Sequence, residues 1–141
     1  MSLLGVFDIS GSAMNAESMR LNVTASNLAN AESVSGTAKD AYHSRHPVFA
    51  TQLQQFSADP NYDEPGVGVR VLDVIQSTAA PLKRYQPDHP LADATGYVYG
   101  SNVNPVEELT NMISASRAFQ GNVEVMTTAR ELVLKTLSLG H

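Results

Sequence analysis

Residues 104–140 read NPVEELTNMISASRAFQGNVEVMTTARELVLKTLSLG. Within them Leu109, Met112, Ser116, Phe119, Val123, Met126, Arg130, Val133 and Leu137 follow at alternating steps of three and four, and only Ser116 and Arg130 depart from apolar character. That spacing repeats along one face of a helix. Val106, Ile113, Val125, Leu132 and Leu134 widen the stripe beyond what one partner helix would cover. Asn104 suits an N-cap and Pro105 the first helical position, Glu107 and Glu108 complement the positive helix end, and Gly140 marks a stop. The predicted helix begins at Pro105 or Val106, ends at Leu139 and spans roughly 50 Å.

A second helix is predicted over residues 3–31. Phe7, Met14, Leu21 and Leu28 recur every seven residues, and Leu4, Gly11, Ser18 and Ala25 form a smaller-residue series beside them. Large residues at one heptad position and small ones at the other favour close approach of a neighbouring helix. Asn15, Glu17, Arg20, Asn22 and Asn27 are assigned to the opposite face. Gly11 weakens the helix by about 1 kcal/mol relative to alanine, which leaves room for the first turns to be separate or to form only on assembly.

Between the two helices the chain changes character. Residues 32–105 hold all seven prolines. Val67, Val69, Val71 and Ile75 alternate with Gly68, Arg70, Leu72 and Val74, and Asp73 interrupts the apolar face. Residues 66–76 are thus predicted as a strand, with residues 48–56 as its partner and residues 57–66 as the connection. Tyr97-Val98-Tyr99, between Gly96 and Gly100, suggests another short strand, and the proline-punctuated residues 85–90 are expected to be extended. The expected fold is mainly α with a small β-rich insertion: long N- and C-terminal helices packed as a coiled coil, and a middle segment of short strands and loops. The corresponding division is 1–31, 32–104 and 105–141.

A chain of 141 residues supplies one domain's worth of core. Its hydrophobic share of 43% leans on alanine, with no tryptophan and 6% aromatic residues, so large anchoring side chains are scarce and partners are expected to complete the packing. Net charge is −5 and the nine basic residues are scattered, which argues against nucleic acid and against an anionic membrane surface. The absence of cysteine removes disulfides, thiolate nucleophiles and zinc knuckles. No apolar run reaches the length of a membrane-spanning helix. Residues 1–12 lack a basic n-region and Asp8 interrupts their apolar stretch, so no cleavable secretory signal is expected.

Catalytic and ligand-binding patterns are weak. His43 and His46 have HxxH spacing but stand before Pro47 in a predicted loop, with no third or fourth ligand beside them, so surface histidines are expected. There is no GxSxG elbow, and Gly66 and Gly68 precede a strand where a dinucleotide fingerprint would follow one. Asn22-Val23-Thr24 matches a glycosylation sequon by chance, inside a predicted helix. No catalytic residue, cofactor or metal is expected. Arg130, in the apolar stripe, reads either as a snorkelling side chain or as one half of an inter-subunit ion pair to Asp8 or Glu17 of another copy.

Two terminal stretches carry a family resemblance. Arg20-Leu21-Asn22-Val23, followed by Ala25-Ser26-Asn27-Leu28-Ala29-Asn30-Ala31, resembles the N-terminal signature of bacterial flagellar rod and hook axial proteins. Asn102-Val103-Asn104-Pro105-Val106-Glu107-Glu108 and residues 114–124 (SASRAFQGNVE) resemble the C-terminal helix of that family. Phe7-Asp8-Ile9-Ser10-Gly11-Ser12-Ala13 and Pro87-Asp88-His89-Pro90-Leu91-Ala92-Asp93, leading into Gly96-Tyr97-Val98, are similar to its proximal-rod members. The chain departs from the family pattern at Ala41-Tyr42-His43, where Pro-Tyr-Arg is usual, and in a long acidic connection over residues 52–66.

The resemblance implies a non-enzymatic subunit of the flagellar basal-body rod. Implied partners are further copies of itself, other rod proteins of the FlgB, FlgF and FlgG types, the rod-base adaptor FliE and the flagellar type III export apparatus. No nucleic acid and no membrane insertion are implied. The implied location is the rod spanning the periplasm, after a transient stay in the cytoplasm before export. Expected assembly positions are Phe7, Met14, Leu21, Asn27, Leu28, Asn30, Leu109, Met112, Phe119, Val123, Met126, Arg130 and Val133. Phe49 and Leu53 fit a Phe-x-x-x-apolar pattern like the export-gate recognition element of such substrates, or simply share one strand face. The alternatives are a FlgB-type or other rod protein, and a non-flagellar helical module that binds a single partner.

Overall fold

The computed structural model describes residues 3–54 and 66–139. In chain order they form α1 (Leu3–Ala29), β1 (Val34–Ser35), β2 (Arg45–Gln54), β3 (Gly66–Gln76), β4 (Leu82–Tyr85), β5 (Tyr97–Gly100) and α2 (Pro105–Leu139). Two terminal helices and a small β-rich middle match the expected class. The chain divides into two compact units, one of Met1–Met19, Val48–Asp73 and Ser114–His141, the other of Arg20–Pro47 and Val74–Ile113.

α1 runs without a break through Gly11, so its first turns are not separate. Phe7, Met14, Leu21 and Leu28 are half-buried as a stripe, but the small residues that go fully inside are not the expected ones. Ser10, Ala16 and Thr24 are buried, whereas Gly11 and Ser18 are half-buried and Ala25 is exposed. The side chain of Leu4 lies outside the described residues. Asn27, assigned from sequence to the polar face, is 0% exposed.

α2 shows the same displacement. Met112, Phe119, Met126 and Val133 are half-buried as expected, but Leu109, Val123, Arg130 and Leu137 are exposed. Their places inside are taken by Glu108, Ala115 and Ala129, with Asn122 half-buried between them, each one position earlier in the chain. One of the two series that make up the stripe has moved back by one residue while the Met112 series stays, so the buried face turns by about half of the 100° that separates neighbouring residues. Small side chains at seven-residue intervals admit closer approach than branched ones, and the bulky residues beside them turn outward. Asn104 caps the helix as its sequence suggests, its Oδ1 accepting from the Val106 N–H at 3.1 Å. The expected stop at Gly140 lies outside the described residues.

In the unit containing residues 20–47 and 74–113, three strands form a sheet in the order β1-β5-β4. β5 pairs antiparallel with both neighbours, Val34 opposite Gly100 and Tyr85 opposite Tyr97. β1 and β4 are too short to stand out in the sequence. Residues 85–90 are not extended throughout: the His89 N–H donates to the Gln86 carbonyl at 3.1 Å and the Ala92 N–H to the His89 carbonyl at 2.9 Å. Proline fixes only φ, and Pro87 and Pro90 serve turns here as readily as extended chain. Gly96 has φ +79°, and a Cβ there would meet the Tyr85 ring at 2.8 Å. Glycine is required by both the backbone and the ring above it.

β2 pairs with β3, as expected, and residues 57–65 of the connection predicted between them lie outside the described residues, while Gly66 already belongs to β3. Alternation along β3 holds for Val69 and Val71 and changes phase after Asp73, where Val74 is half-buried and Ile75 exposed. In the unit that includes the start of α1, Ser12 Oγ donates to the Ile9 carbonyl at 2.8 Å and accepts from the Val69 N–H at 3.1 Å. A Cβ at Gly68 would stand 3.1 Å from that hydroxyl oxygen, closer than ordinary contact.

Candidate functional site

In the unit formed by residues 20–47 and 74–113, α1 ends on a buried polar junction. Asn27 Nδ2 donates to the Arg45 carbonyl at 2.8 Å and to Glu108 Oε1 at 3.1 Å. Its Oδ1 accepts from the Arg45 N–H at 2.9 Å and from the Tyr42 hydroxyl at 3.0 Å. Two donors and two acceptors exhaust the amide's capacity, so burial leaves nothing unpaired. Tyr42, having given its proton to Asn27, accepts from Ser26 Oγ at 3.3 Å, and the Arg45 guanidinium lies 5.7 Å from the Tyr42 ring centre. One side chain thus ties α1, the loop before β2, β2 itself and the first turn of α2.

Sequence reading gave Glu108 only a helix-end role. It is 3% exposed, while its neighbour Glu107 is exposed. The seven-residue series Glu108, Ala115, Asn122, Ala129 was the available pointer to its burial. Tyr42 had no pointer, because its role depends on the path of the loop. Asn30 plays a local part, its Nδ2 donating to the Ser26 carbonyl at 2.8 Å and closing the end of α1.

The helices also present large apolar side chains to solvent. In the same unit Val106 is 72% exposed, with Leu109 and Ile113 also outside. In the other unit Val123, Val125, Leu132, Leu134 and Leu137 are exposed. There Val6 of α1 joins Gly121, Glu124, Val125, Thr128, Ala129 and Leu132 of α2 in lining a groove of about 410 Å³. Large apolar side chains left in water are unfavourable unless a partner covers them. Of the expected assembly positions, Leu109, Val123 and Arg130 are exposed, Asn27 is buried, and Phe7, Met14, Leu21, Leu28, Asn30, Met112, Phe119, Met126 and Val133 are half-buried.

Phe49 is exposed on β2, and the side chain of Leu53 lies outside the described residues. His43 and His46 do not converge. His43 Nδ1 lies 3.1 Å from the Ser77 carbonyl oxygen and 3.3 Å from Asn102 Nδ2, whereas His46 Nε2 lies 3.3 Å from Ser44 Oγ. Among the described residues no group of three or more His, Asp or Glu side chains is placed to hold a metal ion, and no helix is long and apolar enough to cross a membrane. The arrangement offers packing surface and a buried structural junction.

Comparison with known proteins bears on the same two helices. The family described as "Flagella basal body rod protein" matches residues 7–36, and "Flagellar basal body rod FlgEFG protein C-terminal" matches residues 94–139. The two matches cover the helix ends that meet at Asn27 and Glu108. Over all 141 residues, the full length of both chains, the sequence is 51% identical to the flagellar basal-body rod protein FlgC of Yersinia enterocolitica. It is 50% identical to that of Escherichia coli O6:H1 and 49% to that of Salmonella typhimurium, again over both full lengths. The chain belongs to the FlgC family of flagellar basal-body rod proteins.

Proposed function

We propose that the chain is a structural, non-catalytic subunit of the proximal rod of the bacterial flagellar basal body, polymerising with itself and other rod proteins into a helical tube. The observation that carries this reading is the exposed apolar surface of α2, from Val106 to Leu137, on a chain with the length and sequence of a rod protein. Left in water, such a surface is unfavourable by about 25 cal/mol per Å², and neighbouring subunits would remove it. In the tube α1 and α2 would pack as a coiled coil with each other and with neighbouring copies around the export channel. The β-rich middle, residues 32–104, would face outward or toward adjacent layers. A head-to-tail contact repeated with incomplete rotation generates such a tube, and its continuity would let it transmit torque.

The partners this reading implies are rod proteins of the FlgB, FlgF and FlgG types, FliE at the rod base, and the type III export apparatus. The chain would pass unfolded from the cytoplasm and take its place in the rod across the periplasm. Exposed Phe49, with Leu53 four residues on, would serve export recognition before folding. The assembly positions proposed are those expected from sequence, with Asn27 acting inside the subunit.

The test is rod formation and swimming in a strain deleted for this chain and complemented with the intact protein or with one lacking residues 101–141. Rescue by the intact chain alone, with the truncated chain shown to be exported, is the expected result. Rods and swimming in the uncomplemented deletion would overturn the assignment.

A further inference from the structure

We infer that α2 carries the two unlike halves of one repeated contact: a groove on one flank, and on the opposite flank a ridge that fits the groove of a second copy of this chain, with Arg130 of one copy paired to Glu124 of the next. The inference rests on the assembly reading and names the surface that reading requires. Within the unit that holds residues 114–139, the buried seam of Ala115, Asn122 and Ala129 divides the helix surface. At about 100° per residue, Gly121, Val125, Thr128 and Leu132 stack roughly 90° to one side of that seam. Val123, Arg130, Leu134 and Leu137 stack roughly 90° to the other. The first flank is the concave one, lining the groove with Val6. The second carries Val123, Leu134 and Leu137 at 41%, 55% and 63% exposure.

Gly121 strengthens the assignment. A glycine inside an exposed helix costs about 1 kcal/mol relative to alanine, yet among the described residues nothing beyond its own helix backbone and chain neighbours lies within 4 Å of the place its Cβ would occupy. The described residues therefore supply no steric reason for the glycine; close approach of another chain would.

Charge complementarity commits the occupant. Glu124 lines the groove and Arg130 stands within the ridge, both exposed, and neither forms an ion pair among the described residues. Unlike flanks make a heterologous contact, which propagates and does not close into a dimer. With copies running in the same direction, pairing Glu124 with Arg130 offsets neighbouring helices by six residues, about 9 Å. Thr128 of one copy then faces Leu134 of the next, and Leu132 lies beside Leu137.

Charge reversal tests this in the deletion strain, where restoration of rods by the unaltered chain is established first. Glu124→Arg and Arg130→Glu are each expected to lose rods and swimming, and the double reversal to regain both. Unchanged rods in the single variants, or a double variant as defective as either single one, would overturn the contact while leaving the rod assignment standing. Because the chain contains no cysteine, cross-linking gives an independent reading in purified basal bodies. Thr128→Cys with Leu134→Cys in one chain should yield a ladder of linked copies under oxidation, and neither single variant should link. Dimers from a single variant, or linkage of Thr128→Cys to a different protein, would overturn the proposal.

Discussion

The Asn27 amide and the Glu108 carboxylate meet at 3.1 Å across 81 residues of sequence, both side chains withdrawn from water. A buried carboxylate is tolerated only where donors reach it, and Asn27 brings one while its other three valences are held by Tyr42 and Arg45. The junction is specific in a way that apolar contact is not, since a shift of either helix leaves several groups unpaired at once.

Asn27→Leu should therefore destabilise the folded chain by about 3 kcal/mol or more, because each buried group left unpaired costs about 1–3 kcal/mol. Asn30→Ala, losing one bond to the Ser26 carbonyl, should cost about 1 kcal/mol. Urea unfolding of the two variants beside the parent checks both; equal midpoints for Asn27→Leu and the parent would remove the junction's structural role.

Two glycines should respond to alanine in opposite directions. Gly96→Ala forces a left-handed backbone costing about 1–2 kcal/mol and drives a methyl against the Tyr85 ring, whose edge-on contact with Tyr97 spans 5.1 Å between centres. Loss of thermal stability, with a changed near-ultraviolet tyrosine signal, is expected. Gly121→Ala meets no side chain or distant backbone atom among the described residues and should stabilise the free subunit by about 1 kcal/mol while reducing rod yield. Calorimetry and basal-body yield together read both effects.

Acid should weaken the β4–β5 hairpin through Asp93. Hydrogen bonds from the Thr95 hydroxyl, the Tyr97 N–H, the Thr95 N–H and the Tyr99 hydroxyl hold its pKa down to about 2 from an ordinary 3.8. The folded chain thus favours the charged form. The stability this contributes is fully present above pH 3.8 and is lost as pH falls from there through about 2. Asp93→Asn should be less stable than the parent at neutral pH and should flatten the dependence within that window. Thermal unfolding at stepped pH measures it; parallel curves for parent and variant would count against the assignment.

Truncation of the half-buried stripe should act on assembly more than on local structure. Leu21→Ala or Phe119→Ala removes side-chain volume worth about 2–5 kcal/mol if the site is fully buried, and a polymer repeats that loss in every subunit. Absence of rods is expected for both, and normal rod yield and motility would contradict it.

By itself the sequence determined that two long helices close the ends of this chain, where α2 begins, and that a β-rich segment separates them. Those features rest on local chemistry: the period of Met112, Phe119, Met126 and Val133, the Asn104 cap before Pro105, and the prolines confined to residues 47–105. Only the tertiary structure decided which neighbour of that stripe goes inside. A helical period is satisfied by Leu109, Ser116, Val123 and Arg130 as well as by Glu108, Ala115, Asn122 and Ala129, and hydrophobicity favours the first set. The second goes inside, where small residues at Ala115 and Ala129 admit close packing within the subunit and Asn27 stands opposite Glu108. The same placement leaves Val123, Arg130, Leu134 and Leu137 exposed, where the proposed contact would use them. Tyr42 and Arg45 reach Asn27 only through the path of a loop, and no spacing in the sequence records that path.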